Sequence, residues 1–278
     1  MDIDALRTFI EVSRTRHFGQ AARNLYVSQS TVSARIKLLE QQVGVPLFVR
    51  QRNNIQLTVA GEKLLHYAES MVTTWTRARQ EIAIDDESLV PFIVGSTPSL
   101  WDSVLQDWMK FIISQKPDMV LNVEVHDSEV LARRIQDLTM DIAFVFDNPQ
   151  LLELQCKEVT EIPFIMVSTK NNISAEQAIK EDYILVEWGA SFSVAHARFF
   201  PNMSQPRMRV MLGRIALNYI LANGGHAYMP EPMVSELLDN QELFQVKDAP
   251  VIKRSVFALF STDNKNPEMI KTACDFFN

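Results

Sequence analysis

The segment from Phe18 to Val43 constrains the fold more than any other. Phe18-Gly-Gln-Ala-Ala-Arg-Asn-Leu25 reads as a short helix with two small residues, Ala21 and Ala22, at its centre, where another helix can approach closely. Tyr26 and Val27 make a tight connection, Ser28 is a natural N-cap, and Gly44 supplies the stop of a second helix running from Gln29 to Val43. Helix, three-residue turn, helix is the pattern of a helix-turn-helix. Along the second helix Val32, Ile36, Leu39 and Val43 form the stripe expected to be buried. The opposite face holds Ser30, Ser33, Ala34 and Lys37, small or hydrogen-bonding groups that can lie close to base edges. Gln29 leads this face, where an amide can pair with adenine, and Arg35 projects sideways toward phosphate. The plain alternative is a polar surface helix, which the short preceding helix and tight turn disfavour.

The flanking sequence extends this head. Ile3, Leu6, Phe9 and Ile10 predict an amphipathic first helix. Pro46 to Arg50 and Ile55 to Thr58 alternate around a polar Gln51–Asn54 tip, the signature of a small hairpin, with Arg50 and Arg52 near its tip in reach of phosphates or a minor groove. Thr58 then caps a helix to about Ile82 on which Leu57, Leu64, Ala68, Met71, Trp75, Ala78 and Ile82 recur as a heptad seam. Gly61 is its one position that is not apolar, so the first turn packs either closely or loosely. Such a seam fits a partner helix or the domain's own surface. Its length, and its exit into the acidic Asp85-Asp-Glu-Ser88 segment, favour a dimer.

Charge follows the same division. The whole chain carries −7, which argues against a polyanionic partner. Residues 1–80, however, hold eleven bases and six acids, a net +5, and the remainder is −12. A basic head on an acidic body points to a head that alone meets nucleic acid.

Beyond residue 90 strands alternate with helices. Strands are expected at 92–95, 121–125, 141–146, 164–167, 183–186, 207–212, 227–229 and 255–260. Helices are expected at 99–113, 129–138, 191–199, 214–222, 232–238 and 267–277. The alternation implies an α/β body with parallel sheets covered on both faces. No GxGxxG follows the first strand and no P-loop is present. The five histidines never pair at ligand spacing, no GxSxG elbow or HExxH helix occurs, and His126-Asp127 are neighbours that point apart on an extended strand. Cys156 and Cys274 exclude a CxxC pair or a four-cysteine zinc site. The expectation is therefore no catalytic residue, no metal and no cofactor. The N-terminus lacks the features of a secretory signal, and no apolar run approaches the ~20 residues of a membrane helix, which together favour a cytoplasmic protein.

Residues 1–65 resemble the winged helix-turn-helix of the LysR-type transcriptional regulators. The match is carried by Leu6, Phe9, Phe18, Ala21-Ala22, Leu25, Ser28-Gln29-Ser30, Val32-Ser33, Ile36, Leu39-Glu40, Gly44, Leu47-Phe48, Arg50, Leu57-Thr58 and Ala60-Gly61. A narrower similarity to the HdfR branch lies in Arg16-His-Phe-Gly19, Arg52-Asn-Asn-Ile55, Ala60 to Leu65 and Glu187-Trp-Gly189. The body match is weaker and rests on Val94-Gly95, Pro117, Leu138, Asp141, Gly189, Gly224 and Met229-Pro230.

The resemblance implies a winged head at 1–58, a linker and dimerisation helix with hinge at 59–88, and a two-lobed, type II periplasmic-binding-protein-like body at 89–278. Lobe one is placed at 90–160 and 252–278, lobe two at 161–251. The partners it implies are double-stranded DNA, further copies of the chain in a dimer or tetramer, RNA polymerase, and a small-molecule effector between the lobes, with no membrane. Ser99 and Ser128 match the family's polar effector pair. Ser99 also begins a helix whose N–H groups suit an anion. Phe146, Trp188 and Gly189 would wall the cleft and Met229 would close its far side. Arg214 stands where relatives often have a small polar residue, as a counter-ion for an acid or a solvent-facing group. The alternatives are a regulator that needs no effector, acting through concentration or protein partners, and a DNA-binding module fused to a small-molecule enzyme.

Overall fold

A computed structural model describes residues 2–51, 54–82, 91–148, 154–203 and 205–277. The chain divides between Val90 and Pro91 into two compact units.

The first unit contains α1 (Ile3–Thr15), α2 (Phe18–Asn24), α3 (Gln29–Val43), a hairpin of β1 (Phe48–Gln51) and β2 (Asn54–Leu57), and the 24-residue α4 (Val59–Ile82). The expected stops and starts are present. Ser28 Oγ accepts from the Thr31 N–H at 3.1 Å, Gly44 closes α3 at φ 82°, and Thr58 Oγ1 accepts from the Gly61 N–H at 3.0 Å. Phe9, Val32, Ile36 and Leu39 share one core with the buried Ala21 and Ala22. Val43 departs from its expected place and is exposed. The hold on the next segment passes instead to Glu40, whose carboxylate accepts the Leu47 and Phe48 N–H groups at 2.8 and 3.3 Å. The hairpin is thereby tied to α3, and Phe48 packs against Phe9 and Phe18 with ring centroids 5.3 and 6.2 Å away. Gly61 decides how α4 begins: a Cβ there would lie 2.2 Å from the Leu47 carbonyl oxygen, so the first turn packs closely.

The second unit contains β3 (Phe92–Ser96), α5 (Pro98–Leu100), a π-helical turn (Trp101–Leu105), α6 (Gln106–Gln115), β4 (Leu121–Val125), α7 (Ser128–Gln136), β5 (Ile142–Val145) and β6 (Gln155–Ser168). It continues with α8 (Ala175–Lys180), β7 (Ile184–Val186), α9 (Ala190–Phe199), β8 (Met208–Val210), α10 (Gly213–Asn223), β9 (His226–Pro230), α11 (Glu231–Asp239), β10 (Phe244–Gln245), β11 (Ile252–Phe260) and α12 (Pro267–Asp275). The main sheet runs β10-β6-β11-β5-β3-β4, with β9 also paired to β6, while β7 and β8 form a second, small sheet.

The main sheet is mixed rather than parallel, which corrects the expectation. The β3–β4, β3–β5 and β7–β8 pairs are parallel. The long strands β6 and β11 are antiparallel to each other and to β9, β10 and β5. Alternation through the sheet sends Phe92, Val94 and Phe144 to one core and Ile93, Ala143 and Val145 to another. The single helix expected from Ser99 is broken by the π turn. Among the described residues no helix is long and apolar enough to cross a membrane.

Candidate nucleic-acid interface and interlobe cleft

In the first unit α3 stands on its buried stripe and presents Gln29, Ser30, Ala34 and Lys37 as exposed residues, with Ser33 half-buried beside them. Ser30 Oγ bonds to the cap Ser28 Oγ at 2.7 Å, so the start of the helix is a small hydroxyl cluster. Arg35 differs from its expected role. It is held on α1, donating to Asp4 Oδ2 and Thr8 Oγ1, each at 3.3 Å, and would have to leave them to meet phosphate. Arg50 lies on β1, but its side chain falls outside the described residues, as do Arg52 and the acidic segment Asp85–Ser88.

One exposed group escapes motif reasoning. Tyr26, in the turn before α3, is 96% exposed and sits at φ 56°. The Tyr26 and Val27 N–H groups donate to Arg23 and Ala22 carbonyls at 3.2 and 3.0 Å, fixing a conformation that is costly for an aromatic residue. Its only signal in the sequence is an aromatic residue in a tight turn beside Gln29.

The expected seam of α4 splits in two. Ala68 is fully buried in the unit's own core, so it faces no partner, and Leu65 and Val72 pack against the same core. Leu64 and Met71 are half-buried at its edge. Trp75 is exposed, Ala78 is half-exposed, and Tyr67 and Ile82 extend the exposed apolar residues. At 100° per residue, Leu64, Tyr67, Met71, Trp75, Ala78 and Ile82 share one side of the helix, next to the face that packs inward.

In the second unit the ends of β3 and β4 lie side by side, and the His126 N–H donates to the Ser96 carbonyl at 3.2 Å. Ser99 is half-buried within α5, whose cap is Thr97 rather than Ser99. Among the described residues Thr97 Oγ1 and Trp101 Nε1 are buried without a hydrogen-bond partner, and both lie in the turn that holds Ser99. Ser128 is the first residue of α7, half-buried behind the cap position Asp127.

The expected walls are core instead. Met229 is fully buried on β9 opposite Ile165. Trp188 is buried, donates its indole N–H to the Tyr228 carbonyl at 2.9 Å, and packs on Phe164. Its ring occupies the space where a Cβ on Gly213 would stand, 2.2 Å away. Phe146 is buried beneath Arg254, whose guanidinium carbon is 4.1 Å from the ring centroid. Gly189 alone of this group is exposed, at φ 106°. Aromatic packing on Phe164 and a satisfied indole N–H hold Trp188 and Phe146 in these buried positions.

Two ion pairs join separate elements of this unit. Arg214 Nη2 lies 3.6 Å from Asp102 Oδ1, so Arg214 is paired with an acid of the π turn. Arg254, which no sequence signal singled out, is only 4% exposed. It donates from Nε to Ser191 Oγ at 3.1 Å, from Nη1 to the Trp188 carbonyl, and from Nη2 to Asp147 Oδ2 at 3.0 Å. Burial pushes its pKa down from the ordinary value, and Asp147 opposes that shift.

A further buried cluster gathers around α9. Tyr183 Oη and His196 Nε2 are 2.8 Å apart in an aromatic cluster with Phe192 and Tyr228. Burial pushes the His196 pKa down to about 4 and raises that of Tyr183. Burial also raises both thiols, Cys156 and Cys274, away from the reactive thiolate. Among the described residues no cluster of three His, Cys, Asp or Glu side chains is arranged to hold a metal.

Residues 3–62 match the family model described as "Bacterial regulatory helix-turn-helix protein, lysR family", and residues 91–278 match the "LysR substrate binding domain". The chain is 33% identical to the HTH-type transcriptional regulator HdfR of Yersinia enterocolitica over 98% of its length and 94% of the relative's. Among solved structures, CbnR, a LysR family transcriptional regulator, superposes with a TM-score of 0.74 at 16% identity, covering 99% of this chain and 97% of that one. Full-length CbnR in complex with its target DNA gives 0.73 over 100% and 99% of the two chains at the same identity. With both family models matched in order and a 33% identical relative spanning the chain, the protein belongs to the LysR family of bacterial helix-turn-helix transcriptional regulators.

Proposed function

We propose that this regulator reads DNA with α3 and is not itself an enzyme. Gln29, Ser30, Ser33, Ala34 and Lys37 meet base edges and adjoining phosphate in the major groove. The wing, with Arg50 and Arg52, grips flanking backbone, and Arg35 reaches phosphate by releasing Asp4. Tyr26 lies against the sugar-phosphate backbone. The observation that carries this reading is the exposed small-residue face of α3 on a wing that Glu40 fixes to the same helix. The domain limits follow the same reading: head 1–58, linker helix and hinge 59–88, and body 89–278 with its two lobes.

Two copies pair through the exposed apolar side of α4, and their bodies pair further into a tetramer in the cytoplasm, where RNA polymerase is the downstream partner. Two recognition helices then enter successive major grooves of a roughly palindromic site. The CbnR structure with its target DNA supports a DNA complex for this architecture. A small molecule held near Ser99 and Ser128, where Thr97 and Trp101 carry unsatisfied polar atoms, shifts the arrangement of the dimers. One observation favours the second reading, a regulator that needs no effector: Phe146, Trp188 and Met229 are already packed as core.

Operator and scrambled duplexes test the interface. Gln29→Ala is expected to narrow the affinity difference between them by about 1–3 kcal/mol, whereas Tyr26→Ala is expected to weaken both equally. Equal losses on both duplexes for Gln29→Ala would place that residue on the backbone instead. A metabolite screen on operator affinity separates the two effector readings, since any saturable shift excludes the second.

A further inference from the structure

We propose that the buried guanidinium of Arg254 is a carboxylate-binding site between the lobes, occupied here by the chain's own Asp147 and taken by a small organic acid when Asp147 turns to solvent. The proposal rests on the effector reading above and supplies its ligand class.

Arg254 sits on β11 and bonds to Ser191 and Trp188 of lobe two, and a cation buried to this extent requires an anion to remain stable. The anion it has is poorly committed. Asp147 follows β5 in lobe one, and about half of its side chain is exposed. Turning it into water therefore costs the carboxylate little, while the guanidinium stays behind in need of a replacement.

The place Asp147 fills is built for a carboxylate as such. Its Oδ2 accepts from Arg254 Nη2 at 3.0 Å and its Oδ1 accepts from Ser191 Oγ at 2.8 Å, so both oxygens are engaged by donors of opposite origin. An external carboxylate reproduces that two-point contact, one oxygen on Arg254 Nη2 and the other on Ser191 Oγ, which a spherical ion cannot make. The guanidinium is held ready for it, over the Phe146 ring and anchored through Nε to Ser191 and through Nη1 to the Trp188 carbonyl.

Gly189 keeps the approach open. It is the N-cap residue of the ten-residue α9, brings no side-chain acceptor to the first N–H groups of that helix, and lies at φ 106° where other residues are strained. A Cβ there would stand 3.2 Å from Arg254 Nη2.

Asp147 of lobe one accepts from Ser191 of lobe two, so an acid that displaces it cuts one tie between the lobes. That couples ligand binding to lobe arrangement at this one position.

Chemical rescue of the full chain tests the proposal, with acetate as the probe. Asp147→Ala is expected to lower the thermal midpoint by several degrees. Acetate should restore it saturably, with chloride at the same ionic strength and neutral acetamide having little effect. Wild type should respond at severalfold higher acetate, because Asp147 competes. Ser191→Ala in the Asp147→Ala background should raise the half-saturating acetate severalfold, and Arg254→Gln should abolish the response. Asp147→Asn, which keeps the side-chain shape, serves the same test if the alanine variant does not fold. An acetate response no larger than that of chloride or acetamide in the 147 variants overturns the proposal, as does a response that survives Arg254→Gln. The effector reading is judged separately, by whether any metabolite alters wild-type operator affinity.

Discussion

Asp4 and Arg35 supply a quantitative test of how the head meets DNA. In the unbound protein Arg35 Nη2 lies 3.3 Å from Asp4 Oδ2, with about a quarter of the arginine side chain and half of the aspartate side chain exposed. A pair this exposed is worth about 0–1 kcal/mol, because water screens the attraction and two long side chains lose freedom. If Arg35 leaves Asp4 for a phosphate, that energy is forfeited on binding and Asp4→Asn removes the penalty. The dissociation constant should then fall by up to about fivefold at fixed salt. Arg35→Ala should act differently: the slope of log K against log salt should become shallower by about 0.9, as expected when one fewer phosphate is neutralised. Fluorescence anisotropy with a labelled operator across a salt series measures both quantities. An unchanged slope for Arg35→Ala, together with no tightening for Asp4→Asn, would show that Arg35 is a pin between α3 and α1 and refute its role at phosphate.

Three further outcomes follow from particular groups. The His196 pKa lies near 4 in the folded chain against an ordinary value of about 6.5, so the unfolded state takes up a proton first as pH falls. Stability contributed by the neutral ring is complete above pH 6.5 and is lost between 6.5 and 4, by about 3 kcal/mol, and His196→Gln should flatten that part of a pH–denaturation profile. Gly61→Ala places a Cβ 2.2 Å from the Leu47 carbonyl, and the resulting overpacking of about 1–3 kcal/mol should outweigh the helix-propensity gain of about 1 kcal/mol, seen as earlier urea unfolding of the head. Trp75→Glu puts a charge on the exposed side of α4 and should shift the mass seen by light scattering toward the monomer, whereas an unchanged mass would place the interface elsewhere.

The head was legible because local chemistry decides it. Ser28, Gly44 and Thr58 cap or stop helices through their own side chains or backbone freedom, and Val32, Ile36 and Leu39 declare one face by spacing alone. Ala68 shows the limit, since a single apolar period serves a partner helix and the domain's own core equally well. The body was harder. The strand expected at 164–167 begins at Gln155, since QCKEVTEIP is the first part of the continuous strand β6, whose backbone is satisfied by β11 nearly 100 residues later. That pairing has no local signature. Arg254 was invisible for the same reason, as its partners come from two distant segments, Asp147 from one and Trp188 with Ser191 from the other. Trp188 and Phe146 are both buried, and sequence does not tell an aromatic that lines a ligand site from one that packs as core.

Sequence-selective reading of DNA by α3 is tested most directly by selection of bound duplexes from a random pool with the purified full chain. Two linked α3 helices should enrich an inverted repeat whose half-sites lie about one helical turn, 10–10.5 base pairs, or a multiple of it apart. Gln29→Ala should blur one base position in each half-site while leaving the spacing intact. A pool that shows no motif after selection, or a motif that Gln29→Ala leaves unchanged at every position, would contradict recognition through this face of α3.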